Sequence, residues 1–331
     1  MTFSLIIISF FLGMLGAWFM SRYAYRFGLL DIPNDRSSHN LPTPRGGGIG
    51  ILAAFIASSL MLQLPLLVWL PAAFLALVSF FDDKLDLSPR TRLIFQFGSA
   101  LIVAGFALGF FEVSVIQPPT SVIQNLTLLL FSCVFIVGTA NFYNFMDGVN
   151  GIAGITGVVG FVLLGIFAHM HSNMQQIEVS SFCIAAACLG FLPFNLPRAR
   201  VFMGDVGSIL LGFLFASYVV LLAKDVADFL VLAGFLSTFY ADALSTLWVR
   251  KRDGERLSQA HRRHLYQLFA NQKQVPHWRV SLTYGMIQAA AGLILLAVRP
   301  YGLLAIAFTE LCLLAGWLLL MLKVRRAVEG Q

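Results

Sequence analysis

Charged residues are scarce in this chain. Asp, Glu, Lys and Arg make up 11% of its 331 residues, whereas hydrophobic residues make up 58%. Soluble globular domains carry about 25% charged residues. The mean hydropathy of +0.82 points in the same direction. The composition therefore excludes an ordinary soluble domain and predicts an integral membrane protein.

Cysteine is also rare, and its placement excludes two kinds of site. The four cysteines lie inside apolar segments, so they are not placed to form an extracellular disulfide framework, and they lack metal-ligand spacing. We expect all four to be small core residues. They are Cys133, Cys183, Cys188 and Cys312.

Long apolar segments, in contrast, are abundant. A helix needs about 20 mostly apolar residues to cross the bilayer core, and eleven segments come close to that length. The sequence predicts an all-α polytopic membrane protein with about 11 transmembrane helices in a single domain, residues 1–331. The segments are 3–20, 46–64, 65–81, 93–111, 122–140, 151–168, 180–195, 206–223, 229–248, 280–298 and 301–322.

The basic residues predict the orientation. With eleven spans, every Lys and Arg except Lys224 and Arg299 falls on one side. Because basic loops stay in the cytoplasm, we expect the N-terminus outside and the C-terminus inside. The first segment lacks a basic region and a cleavage site, so we expect it to be retained. The expected cytoplasmic loops are about 21–45, 82–92, 141–150, 195–205 and 249–279.

Acidic residues gather at the predicted cytoplasmic ends of the spans. The stretch FDDKLDLSPRTR places Asp82, Asp83 and Asp86 directly after an apolar run. Carboxylates this close repel each other unless a cation or proton intervenes, and Mg²⁺ is held by one or two carboxylates plus substrate phosphates. The stretch therefore predicts a cation or general-base site, with a helix end paired to nearby basic residues as the alternative.

A second loop combines asparagines with an aspartate. In NFYNFMDGVNG, Asn141, Asn144, Asp147 and Asn150 recur every third residue, so they can share one helical face. This spacing favours recognition of a polar ligand, and helix capping is the alternative.

Two glycine-containing loops carry phosphate-binding chemistry. FNLPRARVFMGDVGS contains two arginines suited to phosphate, a phenylalanine suited to stacking on a base, and Asp205 at a helix start. The glycines of HNLPTPRGGGIGIL, residues 39–52, open a helix whose amides suit phosphate. For the glycines of residues 39–52 we favour the alternative, in which they let two helices pack closely, over phosphate binding.

Paired histidines mark the largest predicted cytoplasmic loop. ERLSQAHRRHLYQLF places His261 and His264 three residues apart beside two arginines, a natural clamp for a pyrophosphate. A basic patch for anionic lipid is the alternative. Two acids lie within spans: Asp242 is expected to be paired or functional, and Glu310 is interpreted as a packing or pairing residue.

Taken together, these motifs resemble a known family. FDDKLD, NFMDGVNG, VFMGDVGS, Asp242 before a basic stretch, and AHRRHLYQ occur in the order of the polyprenyl-phosphate N-acetylhexosamine-1-phosphate transferases, glycosyltransferase family 4. The resemblance covers roughly residues 30–270. It implies transfer of a sugar-1-phosphate from a UDP-sugar to undecaprenyl phosphate, with release of UMP, at the cytoplasmic face of a bacterial inner membrane. It also implies a divalent cation as cofactor, either Mg²⁺ or Mn²⁺. It implies no nucleic-acid partner, and it makes a homodimer a candidate assembly.

The resemblance assigns roles position by position. Asp205 matches the family's metal ligand, Asp82 and Asp83 match its acidic pair, and Phe202 matches a phenylalanine that stacks on uracil. The matched catalytic residues are Asp82, Asp83, Asp147, Asp205, His261 and His264. The matched substrate-binding residues are Asn144, Gly148, Asn150, Asn195, Phe202 and Arg263.

Two departures from the family pattern bear on the sugar. Asn150 stands where relatives commonly carry a second Asp, and the histidine motif reads HRRH. AHRRHLYQ is similar to the branch that initiates O-antigen and lipopolysaccharide synthesis, which implies GlcNAc or a 6-deoxy-HexNAc such as FucNAc or QuiNAc. The alternatives are a phospho-MurNAc-pentapeptide transferase, an Asp-rich prenyl transferase and, outside the enzymes, a secondary transporter.

Overall fold

Helices form almost all of the regular structure. A computed structural model describes residues 2–33, 41–85, 87–110, 122–255 and 263–329. The α-helices in these ranges are α1 (Thr2–Tyr23), α2 (Ile49–Met61), α3 (Leu66–Leu85), α4 (Pro89–Ala107), α5 (Val122–Met146), α6 (Ile152–His171), α7 (Gln175–Asn195), α8 (Asp205–Leu222), α9 (Val226–Gly234), α10 (Ser237–Arg252), α11 (Leu265–Gln267), α12 (His277–Val298) and α13 (Leu303–Glu329). Two short antiparallel strands, β1 (Leu30–Asp31) and β2 (Thr43–Pro44), pair with each other.

Helix length and apolarity confirm a polytopic helical membrane protein. In the described ranges, seven helices are long and apolar enough to cross a bilayer, or eight if α9 and α10 count as one span. A helix occupies each of the eleven predicted segments, but α2 has only 13 residues, a rise of about 20 Å. The count of eleven spans and the orientation therefore stay predictions.

The ninth predicted segment, 229–248, is not one continuous helix. The axes of α9 and α10 meet at 86°, and Phe235 and Leu236 at the break are buried. Gly234 ends α9, and a Cβ there would lie within 2.3 Å of a Leu295 methyl carbon. Because glycine is a poor helix former, the helix breaks where α12 and α13 crowd it. The predicted segment is therefore a bent pair of helices, and its crossing of the bilayer as one span stays a prediction.

Helix α8 forms the centre of the bundle, and α1 and α13 lie at its edge. In an 18-residue apolar stretch of each helix, 83% of α8 is buried inside the protein, against 28% of α1 and 11% of α13. Since a helix that is apolar all round needs protein or lipid on every side, α8 is enclosed by its neighbours and α13 presents most of its surface outward. The first residue of α8 is Asp205, so the fold places this carboxylate at the centre of one end.

Glycines allow α1 and α7 to pack with their backbones in contact. A Cβ on Gly13 would lie 2.1 Å from the carbonyl oxygen of Ala187, and one on Gly190 would lie 2.1 Å from that of Phe10. Small residues at helix contacts are the usual way to bring membrane helices this close.

The glycine-rich start of α2 follows the same principle. The amides of Gly47 and Gly48 donate to the carbonyl oxygens of Phe202 and Met203, both at 2.9 Å. A Cβ on Gly48 would lie 2.4 Å from the Cα of Gly207. These glycines therefore pack against the start of α8, and their amides are engaged with protein.

Three of the four cysteines are buried, as expected, and Cys312 is exposed. The expectation of a core position was wrong for Cys312 because it lies on the outward surface of α13. An apolar segment alone does not reveal which face of its helix meets the bundle.

Candidate active site

A small polar cavity of about 70 Å³ lies between α3, α4, α5 and α8. Asp82 enters it from the last turns of α3, and Asp205 enters it from the first turn of α8. The side chain of Asp82 is 4% exposed and that of Asp205 is 26% exposed. Two carboxylates that are far apart in sequence thus converge at one end of an apolar bundle.

Arg92, on α4, is placed between the two carboxylates. Its Nε lies 2.6 Å from Asp82 Oδ2, and its Nη1 lies 3.9 Å from Asp205 Oδ2. The amide of Leu87 donates to Asp82 Oδ1 at 2.7 Å, so both oxygens of Asp82 are engaged. One guanidinium therefore offsets the repulsion between two acids that would otherwise raise each other's energy.

Side-chain amides complete the wall of this cavity. The hydroxyl of Ser208 donates to Asn144 Oδ1 at 2.7 Å, and the side chain of Asn144 is hydrogen-bonded to Asp205. Asn141 Nδ2 donates to Gln96 Oε1 at 2.7 Å. These bonds fix the two asparagines of α5 at the acidic cavity.

Asp147 lies in the turn that follows α5. Burial raises the pKa of its carboxyl to about 7, the charge of Asp205 adds to that rise, and Arg45 opposes it. The expected common helical face is confirmed for Asn141 and Asn144, which line the same cavity, and is wrong for Asp147 and Asn150, because α5 ends at Met146. The turn instead directs Asn150 away from the acidic cavity.

A second and larger pocket, of about 570 Å³, adjoins this turn. We call it the aromatic pocket. Its walls include Asn150, Arg198, Phe202, His277 and Trp278. It shares no lining residue with the acidic cavity among the described residues. It combines a cation, hydrogen-bonding groups and two aromatic rings, the combination that suits a base attached to phosphate.

Asn195 braces the loop between these two regions. Its Oδ1 accepts the amide of Gly151 at 2.5 Å, and its Nδ2 donates to the carbonyl oxygen of Val201 at 2.9 Å. Because Asn195 is 5% exposed, these bonds position the turn after α5 against the segment that carries Phe202. A direct contact of Asn195 with substrate stays a prediction.

Arg263 and His264 are the described end of the histidine motif. His264 precedes α11, and its Nδ1 lies 3.2 Å from Asp242 Oδ1. Arg263 pairs with Asp253 at 2.7 Å and with Glu255. The hydrogen bond from Arg250, together with the charge of Arg263, lowers the pKa of Glu255 although its desolvation opposes this. The guanidinium predicted to bind diphosphate therefore already has two acidic partners.

For three residues named in the sequence analysis, the structure does not describe the side chain. His261 and Asp86 lie outside the described residues, and the backbone of Asp83 is described as part of α3 but its side chain is not. Their roles stay predictions.

Several site residues were not singled out from the sequence. Arg92 and Gln96 lie on one face of α4 at an i, i+4 spacing, and His277 reaches the amide of Asn150 with its Nδ1 at 3.4 Å. A Gln inside an apolar helix was an available signal for Gln96, since such groups seek partners. Arg92 was instead interpreted as part of a charged helix end.

The donor set of the acidic cavity fits Mg²⁺. Asp205 and Asn144 offer hard oxygen ligands, and Mg²⁺ takes one or two carboxylates and completes its shell with water and substrate phosphates. The described residues contain no cluster of three or more His, Cys, Asp or Glu side chains that would bind a metal by themselves.

The fold and this site define a polytopic helical membrane protein with an acidic site at one end of its bundle. Residues 65–223, from α3 to α8, match glycosyl transferase family 4. The phospho-N-acetylmuramoyl-pentapeptide-transferase of Chloroherpeton thalassium is 30% identical over 267 residues, 66% of this chain and 70% of that protein. The chain belongs to glycosyl transferase family 4.

Other relatives carry a different sugar in their names. The chain is 29% identical over 204 residues to the "probable undecaprenyl-phosphate N-acetylglucosaminyl 1-phosphate transferase" of Bacillus subtilis, covering 59% of this chain and 55% of that protein. It is 29% identical over 214 residues to the decaprenyl-phosphate N-acetylglucosaminephosphotransferase of Mycolicibacterium smegmatis, covering 57% and 52%. The chain thus spans about half the length of these curated relatives.

Proposed function

We propose that this protein transfers an N-acetylhexosamine-1-phosphate from a UDP-sugar to undecaprenyl phosphate and releases UMP. The observation that carries the proposal is the convergence of Asp82, Asp147 and Asp205 at one end of an apolar bundle in a member of this family. A lipid acceptor reaches such a site from the bilayer, and a nucleotide donor reaches it from water.

The chemistry needs mainly charge neutralisation and alignment. In phosphoryl transfer the protein positions the reactants and offsets the charge on the phosphate oxygens. In our proposal the aromatic pocket holds the uridine, with Phe202 against the base and Arg198 near the phosphates. The diphosphate then extends toward Asp205. An oxygen of the lipid phosphate attacks the β-phosphorus, the bond from that phosphorus to the bridging oxygen breaks, and UMP leaves.

Two acids are suited to handle the proton of the lipid phosphate. Asp147 has a pKa of about 7 because of burial and the neighbouring Asp205, and a general base works best near the operating pH. Asp82 is already paired with Arg92 at 2.6 Å, so its use as a base requires Arg92 to shift to another anion. We therefore favour Asp147 as the proton acceptor and Arg92 as a group that meets the phosphates.

Asp205 and Asn144 are the residues that would hold Mg²⁺. When bound there, Mg²⁺ would neutralise charge on the donor's diphosphate and orient it.

The sugar is the open part of the proposal. The histidine motif favours GlcNAc or a 6-deoxy-HexNAc, and thus an O-antigen-type product. The relative with the longest match quoted above carries MurNAc-pentapeptide in its name, which supports that donor as a second candidate.

The test is a UMP-release assay on the purified full chain. It uses undecaprenyl phosphate, Mg²⁺ and, in parallel, UDP-GlcNAc, a UDP-6-deoxy-HexNAc, UDP-MurNAc-pentapeptide and UDP-glucose. We expect UMP from one of the N-acetylated donors, loss of the signal with EDTA, and none from UDP-glucose. Folded protein that releases no UMP with any donor would overturn the proposal, and the preferred donor decides between the two candidates.

A further inference from the structure

Asp242, in α10, is paired, as the sequence predicted for an acid inside a span. The residue is 0% exposed, and five hydrogen-bond donors converge on its carboxylate. They are Leu265 N at 2.9 Å, His264 Nδ1 at 3.2 Å and Thr246 Oγ1 at 3.2 Å on Oδ1, with Tyr284 Oη at 2.6 Å and Tyr266 N at 3.3 Å on Oδ2.

These donors are divided between two kinds of structure. Thr246 and Tyr284 belong to the rigid helices α10 and α12, whereas the other three donors belong to residues 264–266. A carboxylate accepts through both oxygens, and only its ionised form leaves every lone pair available to donors. Asp242 therefore joins the start of α11 to helices α10 and α12.

The imidazole of His264 is the side chain that the histidine motif contributes to this anchor. An Nδ1–H that donates to Asp242 sets the tautomer and directs Nε2 to the opposite side of the ring. The ring also stacks on Tyr266, with centroids 5.5 Å apart and planes 18° apart. Its orientation is thus determined from two sides.

Tyr266 extends the same anchor to the turn that holds Asp147. Its hydroxyl donates to the carbonyl oxygen of Phe145 at 3.0 Å, and it lies so close to Gly148 that a Cβ there would be 2.1 Å from Oη. The segment anchored by Asp242 thus packs directly on the two residues that flank Met146 and Asp147.

We propose that Asp242 is a positioning residue that fixes the tautomer and orientation of His264. This inference rests on the proposed transfer function. It gives Asp242 no contact with substrate; its effect on turnover passes through His264.

A double-mutant cycle in the UMP-release assay tests the inference. The variants are Asp242→Asn, His264→Ala and the double variant, each measured for kcat and for the KM of the donor. Loss of a group that orients a site residue typically costs about tenfold to hundredfold. We expect Asp242→Asn to lower kcat by about that factor, with KM within threefold, and to cost less than threefold when His264 is already Ala.

A matched control is available at the other end of the bundle. Asp228 is 2% exposed and accepts hydrogen bonds from Arg299 and from the amide of Lys224. Asp228→Asn should leave kcat within threefold in both backgrounds, since it removes a comparable buried carboxylate far from the site.

Amide hydrogen exchange measures how firmly Asp242 holds residues 264–266, independently of turnover. The amides of Leu265 and Tyr266 should exchange at least tenfold faster in Asp242→Asn than in the wild type, whether or not a donor is present. If Asp242→Asn does not fold, Tyr284→Phe, which removes one donor to Asp242, serves in the same cycle with a smaller expected loss of about threefold to tenfold in kcat.

The outcomes distinguish the two hypotheses. A wild-type protein that turns over no donor contradicts the proposed function. An active wild type in which Asp242→Asn, or Tyr284→Phe in its place, keeps full kcat overturns the inference. It is equally overturned if the substitution costs the same with and without His264, because the carboxylate would then act independently of the imidazole.

Discussion

The two ends of the helix bundle both contain buried carboxylates, but they compensate the charge differently. At the end opposite the acidic cavity, Arg299 binds one oxygen of Asp228 through Nε at 2.8 Å and Nη2 at 2.6 Å. The guanidinium also lies over the ring of Phe167. One acid has one arginine of its own, which joins the start of α9 to the end of α12.

At the acidic cavity, Arg92 is near two carboxylates at once, and Asp147 adds a third acid within electrostatic range. Around this cavity the described side chains place three carboxylates near two arginines, Arg92 and Arg45, so a further cation or a proton stabilises the site. The comparison teaches that burial alone does not mark a functional acid; incomplete compensation of its charge does.

The strongest test of this difference between the two ends is to neutralise one buried acid at each end and compare the losses of activity. Asp205→Asn should lower the rate of UMP release about a thousandfold, as loss of a central electrostatic group does. Asp228→Asn should leave the rate within threefold. Thermal unfolding of both variants in detergent provides the control. Comparable activity losses in the two variants would remove the distinction between the ends.

Gly148 tests the contact between the histidine segment and the Asp147 turn. Gly148→Ala places a Cβ 2.1 Å from Tyr266 Oη, so we expect activity to fall about tenfold to hundredfold through displacement of the turn. Adding Tyr266→Phe removes the closest atom and should restore part of the loss. If Gly148→Ala alone is fully active, the contact has no bearing on the site.

The pKa of Asp147 predicts how Mg²⁺ affinity depends on pH. Below pH 7 this carboxyl holds a proton in the metal-free protein, and a bound cation nearby favours its release. Apparent Mg²⁺ affinity should therefore fall by up to about tenfold per pH unit as pH drops from 7 to 5. Calorimetric titration measures this, and the dependence should be shallower in Asp147→Asn. An identical slope in the variant would assign the proton to another group.

The smallest effect on activity is expected from the opposite end. Arg299→Met leaves Asp228 buried without its arginine, and breaking a buried pair costs about 3 to 5 kcal/mol. Because the side chain of Arg299 is 27% exposed, we expect about 2 to 3 kcal/mol. Stability toward denaturant should fall, and UMP release at low temperature should stay within twofold. A large loss of turnover in a folded variant would contradict this prediction and would show that the two ends of the bundle are energetically coupled.

The sequence predicted the helices well because an apolar segment of span length has few alternatives in a bilayer. It predicted the ends of α5, α9 and α10 less well. The turn after Met146 and the 86° break depend on neighbours such as Leu295, which are distant in the chain.

The candidate site divides in the same way. Asp82, Asp147 and Asp205 were recognisable as acids at the ends of apolar segments. Arg92, which Asp82 and Asp205 share, and the five donors around Asp242 were not, because tertiary packing decides which side chains meet. The sequence shows which polar groups will need a partner in an apolar bundle, and tertiary packing determines which partner each one has.

The contact between α1 and α7 affects how natural variation in this protein should be interpreted. At Gly13 and Gly190 even a methyl group would collide with a carbonyl oxygen of the facing helix. Selection would hold these glycines constant as strictly as any catalytic acid. Two positions far from any chemistry would therefore look functional in a comparison of variants, and a polymorphism there would act through helix spacing alone.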